Sequence, residues 1–235
     1  MQMGIGYDKC LTFINCQIKP GKPVRGKSSA FSGFRAVTFS RESGSGAHDI
    51  AQQLATELQS DEPTGERPWT VFDKELVTKV LEDHHFPARM AEFIPEDRRN
   101  ALQGAVEEMF GLRPSSWTLI QHMTETILRL VELGNVILIG RGAHVVTRGR
   151  KDVLHVRLTG SMEARAARVA RTRKISQKQA RETILREDQG RARYLKKYLD
   201  EDIENPLLYH VTINTDWISA NRAVDLLTQL VTEGV

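Results

Sequence analysis

Residues 36–60 read AVTFSRESGSGAHDIAQQLATELQS, and the order of features within them sets how this chain folds. AVTFS at 36–40 is short and rich in β-branched and aromatic side chains, as strands are. A Ser/Gly cluster follows at 43–46, and then Ile50, Leu54 and Leu58 recur at i, i+4 and i+8, which marks one face of a helix. Strand, glycine turn and helix is the arrangement that receives phosphate. Glycines let backbone N–H groups approach an anion, and the helix N-terminus adds partial positive charge. A complete Walker A loop would continue with Lys and Ser/Thr. Here Ala47, His48 and Asp49 follow, so the ammonium and the metal-binding hydroxyl are both missing. Local evidence leaves a plain strand-to-helix turn open, because Gly and Ser are ordinary turn residues.

The alternation continues downstream. WTVFD at 69–73 reads as a second strand and KELVTKVLEDHH at 74–85 as a helix, with an acidic helical stretch at 94–112. SSWTLIQHMTETILRLVELG spans 115–134; Ser115 or Ser116 can cap its start and Gly134 can close it. NVILIG at 135–140 is continuously apolar, as expected of a strand buried on both faces. VLHVRL at 153–158 and VTINT at 211–215 read as further strands. Between them lie two highly charged helices, 161–174 and 176–199, and an amphipathic helix at 219–231 closes the chain. Strands alternating with helices imply an α/β fold with a parallel sheet covered on both faces. Residues 36–235 read as one domain. Residues 1–35, rich in Pro, Gly, Ser and Lys, read as a flexible basic tail in which CLTFINCQI could form an edge strand.

The 235 residues suffice for a full core, and 40% hydrophobic with 27% charged is ordinary for a soluble protein. No apolar run approaches the roughly 18 residues of a membrane span, and the N-terminus lacks signal-peptide order, so the chain reads as cytoplasmic. Cys10 and Cys16 are too few for a disulfide framework and read as reduced thiols. Net charge is only +3, yet residues 141–198 hold seventeen of the 33 Lys and Arg residues against five acids. That excess of twelve positive charges in one stretch fits a polyanionic ligand.

Six segments occur in order: TFSRESGSGAHDIAQQLA, VFDKEL, ILIGRGAHVV, VLHVRLTGSMEARAARV, ILREDQGRARYLKKY and LLYHVTINTDWIS. Together they resemble the cytidylate-kinase-like family over about 200 residues from Ala36 onward. The resemblance implies a three-layer P-loop NTPase fold of the nucleoside-monophosphate-kinase type with a helical lid, here about 161–198. It also implies ATP as phosphoryl donor, CMP or dCMP as acceptor, and Mg2+. Members of this branch show Ser-Arg-Gln before the loop and Gly-Gly-Arg after it. This chain has Ser40-Arg41-Glu42 and Gly46-Ala47-His48, so His48 stands where an arginine would replace the missing lysine.

Phosphoryl transfer calls for cations and backbone amides rather than a covalent intermediate. The amides of Gly44, Ser45, Gly46, Ala47 and His48 are the candidate phosphate cradle, with Arg171 as a lid cation. Arg41, Arg186 and Arg191 are the candidate catalytic cations. Asp49 stands at the metal position, or is simply an acid favoured by the start of its helix. Arg141 ends a buried strand and, by resemblance to the GRD segment of cytidylate kinases, would contact the acceptor; Gly142 replaces the acid there. Asp73 either orients the acceptor or caps the next helix. Arg173 is a further lid candidate, and Asp188 would orient an arginine at the acceptor. Glu187 and Arg191 form an i,i+4 pair, so a solvated, salt-bridged helix is the plain alternative for the lid. The functional readings are a phosphotransferase, a catalytically weak nucleotide-binding or regulatory protein, and a nucleic-acid-binding module. The last is disfavoured because the basic helices lack interleaved aromatics and any recognition motif.

Overall fold

A computed structural model describes residues 33–60, 68–73 and 116–234. The basic tail, both cysteines, the helices expected at 74–85 and 94–112, and the Ser115 cap lie outside the described residues. Five strands form one parallel sheet: β1 (Ala36–Arg41), β2 (Thr70–Phe72), β3 (Val136–Ile139), β4 (Val153–Thr159) and β5 (Val211–Asn214), in the spatial order β2-β3-β1-β4-β5. All five are the strands expected from sequence. β1 is central, pairing Ala36 with Val136 on one side and Ser40 with Arg157 on the other. The glycine loop at 43–46 therefore leaves the middle of the sheet.

The helices are α1 (Ala47–Ser60), α2 (Ser116–Leu133), α3 (Ala143–Val146), α4 (Met162–Arg173), α5 (Gln177–Leu199) and α6 (Ala220–Glu233). A 3-10 turn at Pro206–Leu208 and the short α3 were not expected from sequence; both are too brief to show a period. Strand alternation sends Val37, Phe39, Ile137, Ile139, Leu154, Val156 and Leu158 to one face, where Ile50, Leu54 and Leu58 of α1 and Val224, Leu227 and Val231 of α6 cover them. On the opposite face Ala36, Val136, Leu138 and Val153 meet Met123, Ile127, Leu130 and Val131 of α2. The result is three layers, helix on sheet on helix.

α4 and α5 form a hairpin with its own small core of Ala166, Val169, Ala180 and Ile184. Ser161 caps α4 by accepting from Ala164 N, and Ser176 with Gln179 forms a capping box at the start of α5. Among the described residues no helix is long and apolar enough to cross a membrane.

Candidate functional site

The C-terminal ends of β1, β2, β3 and β4 carry Arg41, Asp73, Arg141 and the Arg157–Thr159 segment, the edge where α/β sheets bind ligands. Arg41 lies across Gly140: a Cβ added to Gly140 would fall 1.9 Å from an Arg41 guanidinium nitrogen, and its φ is +83°. Only glycine suits both demands. Burial first, then the charge of Arg191, lowers the Arg41 guanidinium to about 10; Asp73 and Glu187 pull the other way, and Arg141 adds to the lowering. The group stays charged at neutral pH, so it is a half-buried cation with Arg191 and Arg141 as like-charged neighbours.

The glycine loop is held from above by α4. Arg165 donates to Ser43 O at 3.1 Å and to Gly160 O at 2.8 Å, and Arg168 donates to Gly44 O. Gly44, with φ +81°, packs so tightly that an added Cβ would lie 2.8 Å from both Arg165 O and a methyl of Val169. Glu42 accepts from Gly160 N at 2.9 Å. The loop carbonyls are thus turned toward arginines, which is how a phosphate loop keeps its amides for an anion. Ser45 is buried, and its hydroxyl has no hydrogen-bond partner.

α5 reaches the same loop with acids. Ser43 N donates to Asp188 Oδ1 at 2.7 Å, and Ser43 Oγ donates to Glu187. Asp188 also receives Arg165 at 2.7 Å and Arg191 at 2.8 Å, so one carboxylate joins the loop, α4 and α5. Burial raises the Glu187 carboxyl, but the bonds from Arg173 and Ser43 and the charges of Arg173 and Arg191 outweigh it and the net direction is down. Arg191 lies 3.9 Å from Glu187 as well.

A pocket of about 190 Å³ opens here, lined by Arg41, Glu42, Arg157, Asp188, Arg191 and Glu204 among others. Of the residues singled out in the sequence, Arg41, Asp188 and Arg191 line it; Asp73 and Arg141 bear on it through the charge of Arg41. Gly44, Ser45, Gly46 and Ala47 form the loop and the start of α1, with His48 and Asp49 exposed on its first turn. The structure does not bring Arg171 or Arg186 to the pocket; both are exposed on the outer faces of their helices. Arg173 is also exposed and pairs with Glu187 at 2.8 Å.

Sequence reasoning missed Arg165, Arg168, Glu42 and Arg157. The i,i+3 spacing of Arg165 and Arg168 was the available signal for the first two, since it puts them on one face of α4. Nothing local marks Arg157, which is a charged residue in an apolar strand.

A sequence model of the cytidylate kinase-like family matches residues 36–217. This chain belongs to that family. A cytidylate kinase from Pyrobaculum arsenaticum is similar at 30% identity over 189 residues, covering 80% of this chain and 88% of that protein. The family and this relative support a kinase-like function. A crystal structure of an uncharacterized protein from Eubacterium ventriosum matches 83% of this chain and 97% of its own, with a TM-score of 0.60 and 17% identity. That likeness speaks for the fold alone. Among the described residues no cluster of three or more His, Cys, Asp or Glu is arranged to hold a metal.

Proposed function

We propose that the protein transfers a phosphoryl group from ATP to a nucleoside monophosphate, CMP or dCMP. The observation that carries this reading is the convergence of Arg41 and Arg191 on one pocket beside a glycine loop whose carbonyls are held away from it. Phosphates fit this donor set: the three guanidinium groups that line the pocket, the N–H groups at the start of α1, and a loop hydroxyl at Ser45 left without a partner. ATP would rest its phosphates on residues 44–48, and Arg41 and Arg191 would bear on the group in transfer. Arg141 and Asp73 would hold the acceptor side. Mg2+ is usually bound through one or two carboxylates together with substrate phosphates, which suits Asp49 on the first turn of α1. Once bound it would spread charge away from the phosphate oxygens.

The chain's own contribution is positioning. Gly140 admits Arg41 close against the strand end, Asp188 sets the direction of Arg191 and Arg165, and α4 holds the loop through Arg165 and Arg168. Because Asp188 occupies Ser43 N, an entering phosphate competes with that carboxylate for the loop.

One observation favours a second reading, a nucleotide-binding protein with weak turnover. The loop carries neither the usual lysine nor its arginine replacement, and exposed His48 stands in that place. Incubation of the protein with Mg-ATP and each monophosphate, followed by diphosphate formation, separates the two. The kinase reading expects turnover with CMP or dCMP above other acceptors; binding of ATP with no diphosphate from any acceptor would leave only the second.

A further inference from the structure

Arg157 sits toward the C-terminal end of β4 and is 4% exposed, so its cation is inside the protein. Its partners are unequal. Ser40 Oγ, on the adjacent strand, accepts at 3.1 Å, and the Tyr209 ring lies 5.6 Å beneath the guanidinium. These belong to the buried framework. Among the described residues the carboxylate that pairs with it is Glu204, from the segment between α5 and the 3-10 turn, and its side chain is 67% exposed. A buried arginine left without an anion is strongly destabilising, yet the acid that meets this requirement faces water. An exposed carboxylate in an ion pair contributes little and is easily exchanged.

Arg157 also lines the same pocket as Arg41 and Arg191. Three guanidinium groups from three elements, β1, β4 and α5, therefore face one space. At about 190 Å³ that space is below the roughly 300–1,000 Å³ of a pocket for a drug-sized ligand. It suits a single oxyanion group. Arginine forks match such oxygens in pairs.

We propose that Arg157 is a third ligand of a phosphate-type oxyanion in this pocket, and that Glu204 is a resident carboxylate which the anion displaces. The inference rests on the reading of the pocket as a phosphate site and adds to it a residue with its own sign of effect. Glu204 holds the site when it is empty and competes with the anion when one arrives. A purely structural pair, tying residues 200–205 to the sheet, would have no such competition.

The test is titration of the full chain with inorganic phosphate and pyrophosphate at low ionic strength, read by calorimetry. Glu204→Gln removes the competitor, and anion affinity is expected to rise about fivefold. Glu182→Gln, an exposed acid on α5, makes the same change in net charge and is expected to leave affinity within twofold. Arg157→Lys is expected to weaken binding several-fold and Arg157→Gln at least tenfold. If Arg157→Gln fails to fold, the exposed Glu204→Gln variant still decides. Equal or weaker anion binding in Glu204→Gln, or an equal rise in Glu182→Gln, overturns the proposal.

A CMP or ATP arm that rises in step with phosphate identifies a nucleotide phosphate as the occupant. A response to phosphate alone identifies the free ion, and either outcome supports the site. Tighter anion binding in Glu204→Gln without diphosphate formation would sink the kinase reading and leave this one standing. Turnover in the parent protein with no change in Glu204→Gln does the reverse.

Discussion

The two faces of the central sheet are built to different rules. Toward α1 and α6 the strands present apolar side chains along their whole length, from Val37 to Phe39 and from Leu154 through Val156 to Leu158. Toward α2 and α3, β1 and β4 start apolar, with Ala36 and Val153, and become polar as they approach the C-terminal edge. There Thr38, Ser40, His155 and Arg157 are all buried. Their bonds are shared across the sheet: Thr38 Oγ1 with His155 Nδ1 at 2.8 Å, Arg157 with Ser40 at 3.1 Å, and His155 N with His210 Nδ1 at 2.8 Å. One face stabilises the fold. The other spends part of its burial on polar groups in order to deliver cations to the sheet edge, and such groups are tolerated inside only when bonded.

That contrast can be broken at adjacent residues of β1. Phe39→Ala, on the apolar face, is expected to destabilise by about 3–5 kcal/mol in denaturant unfolding, and Thr38→Val, on the other, by about 1–2 kcal/mol through the exposed need of His155 Nδ1. Equal losses would mean the faces do not differ in kind.

Between pH 8 and 5, above the carboxylate range, acid should act on the polar face. Burial lowers His144 to about 3, with the charges of His155 and Arg157 adding, and lowers His155 to about 4, with His210 adding; burial lowers His210 too. These folded values lie below the ordinary histidine value of about 6.5, so below that pH the unfolded chain binds protons that the folded chain refuses. Stability from this source is complete above about pH 6.5 and is lost as pH falls toward 4 and then 3. The loss is on the order of 2–4 kcal/mol by pH 5. Unfolding followed from pH 8 to 4 should bend near 6.5, and His144→Leu should flatten the bend; an unchanged slope in that variant would remove the histidines from the account.

Smaller effects concern the site itself. Gly140→Ala is expected to lower turnover about a hundredfold by moving Arg41 while costing about 1–2 kcal/mol of stability. Normal turnover there would show that Arg41 need not lie where it does. Least affected should be Arg171→Gln, with under a twofold change in turnover, because that side chain is exposed and away from the pocket.

Much of the fold was legible in the sequence because period and punctuation are local. The strand–loop–helix from Ala36 to Ser60 and the five strands all appear as read. Segments three or four residues long, such as α3 and the 3-10 turn, carry no period to read. The site was legible only in part. Arg41, Asp188 and Arg191 were marked by their places in ordered motifs, but what joins them depends on strand adjacency. That β4 pairs with β1 in the register Ser40 to Arg157 sets Arg157 beside the loop, and no spacing along the chain contains that fact. Gly140 beneath Arg41, about a hundred residues later in the chain, is unreadable for the same reason. The split between Arg165 and Arg171 on α4 is a matter of which face the helix turns to the loop. It follows from Val169 packing on Gly44.

The central claim is that Arg41, half-buried at the end of β1 beside Arg191, acts on the proposed phosphates. Diphosphate formation from Mg-ATP and CMP or dCMP, compared between the parent protein and Arg41→Gln, tests it most directly. The account predicts measurable turnover that falls at least a hundredfold in the variant, with the folded protein retained in a parallel thermal melt. Turnover within a few-fold of the parent in a folded Arg41→Gln would contradict it.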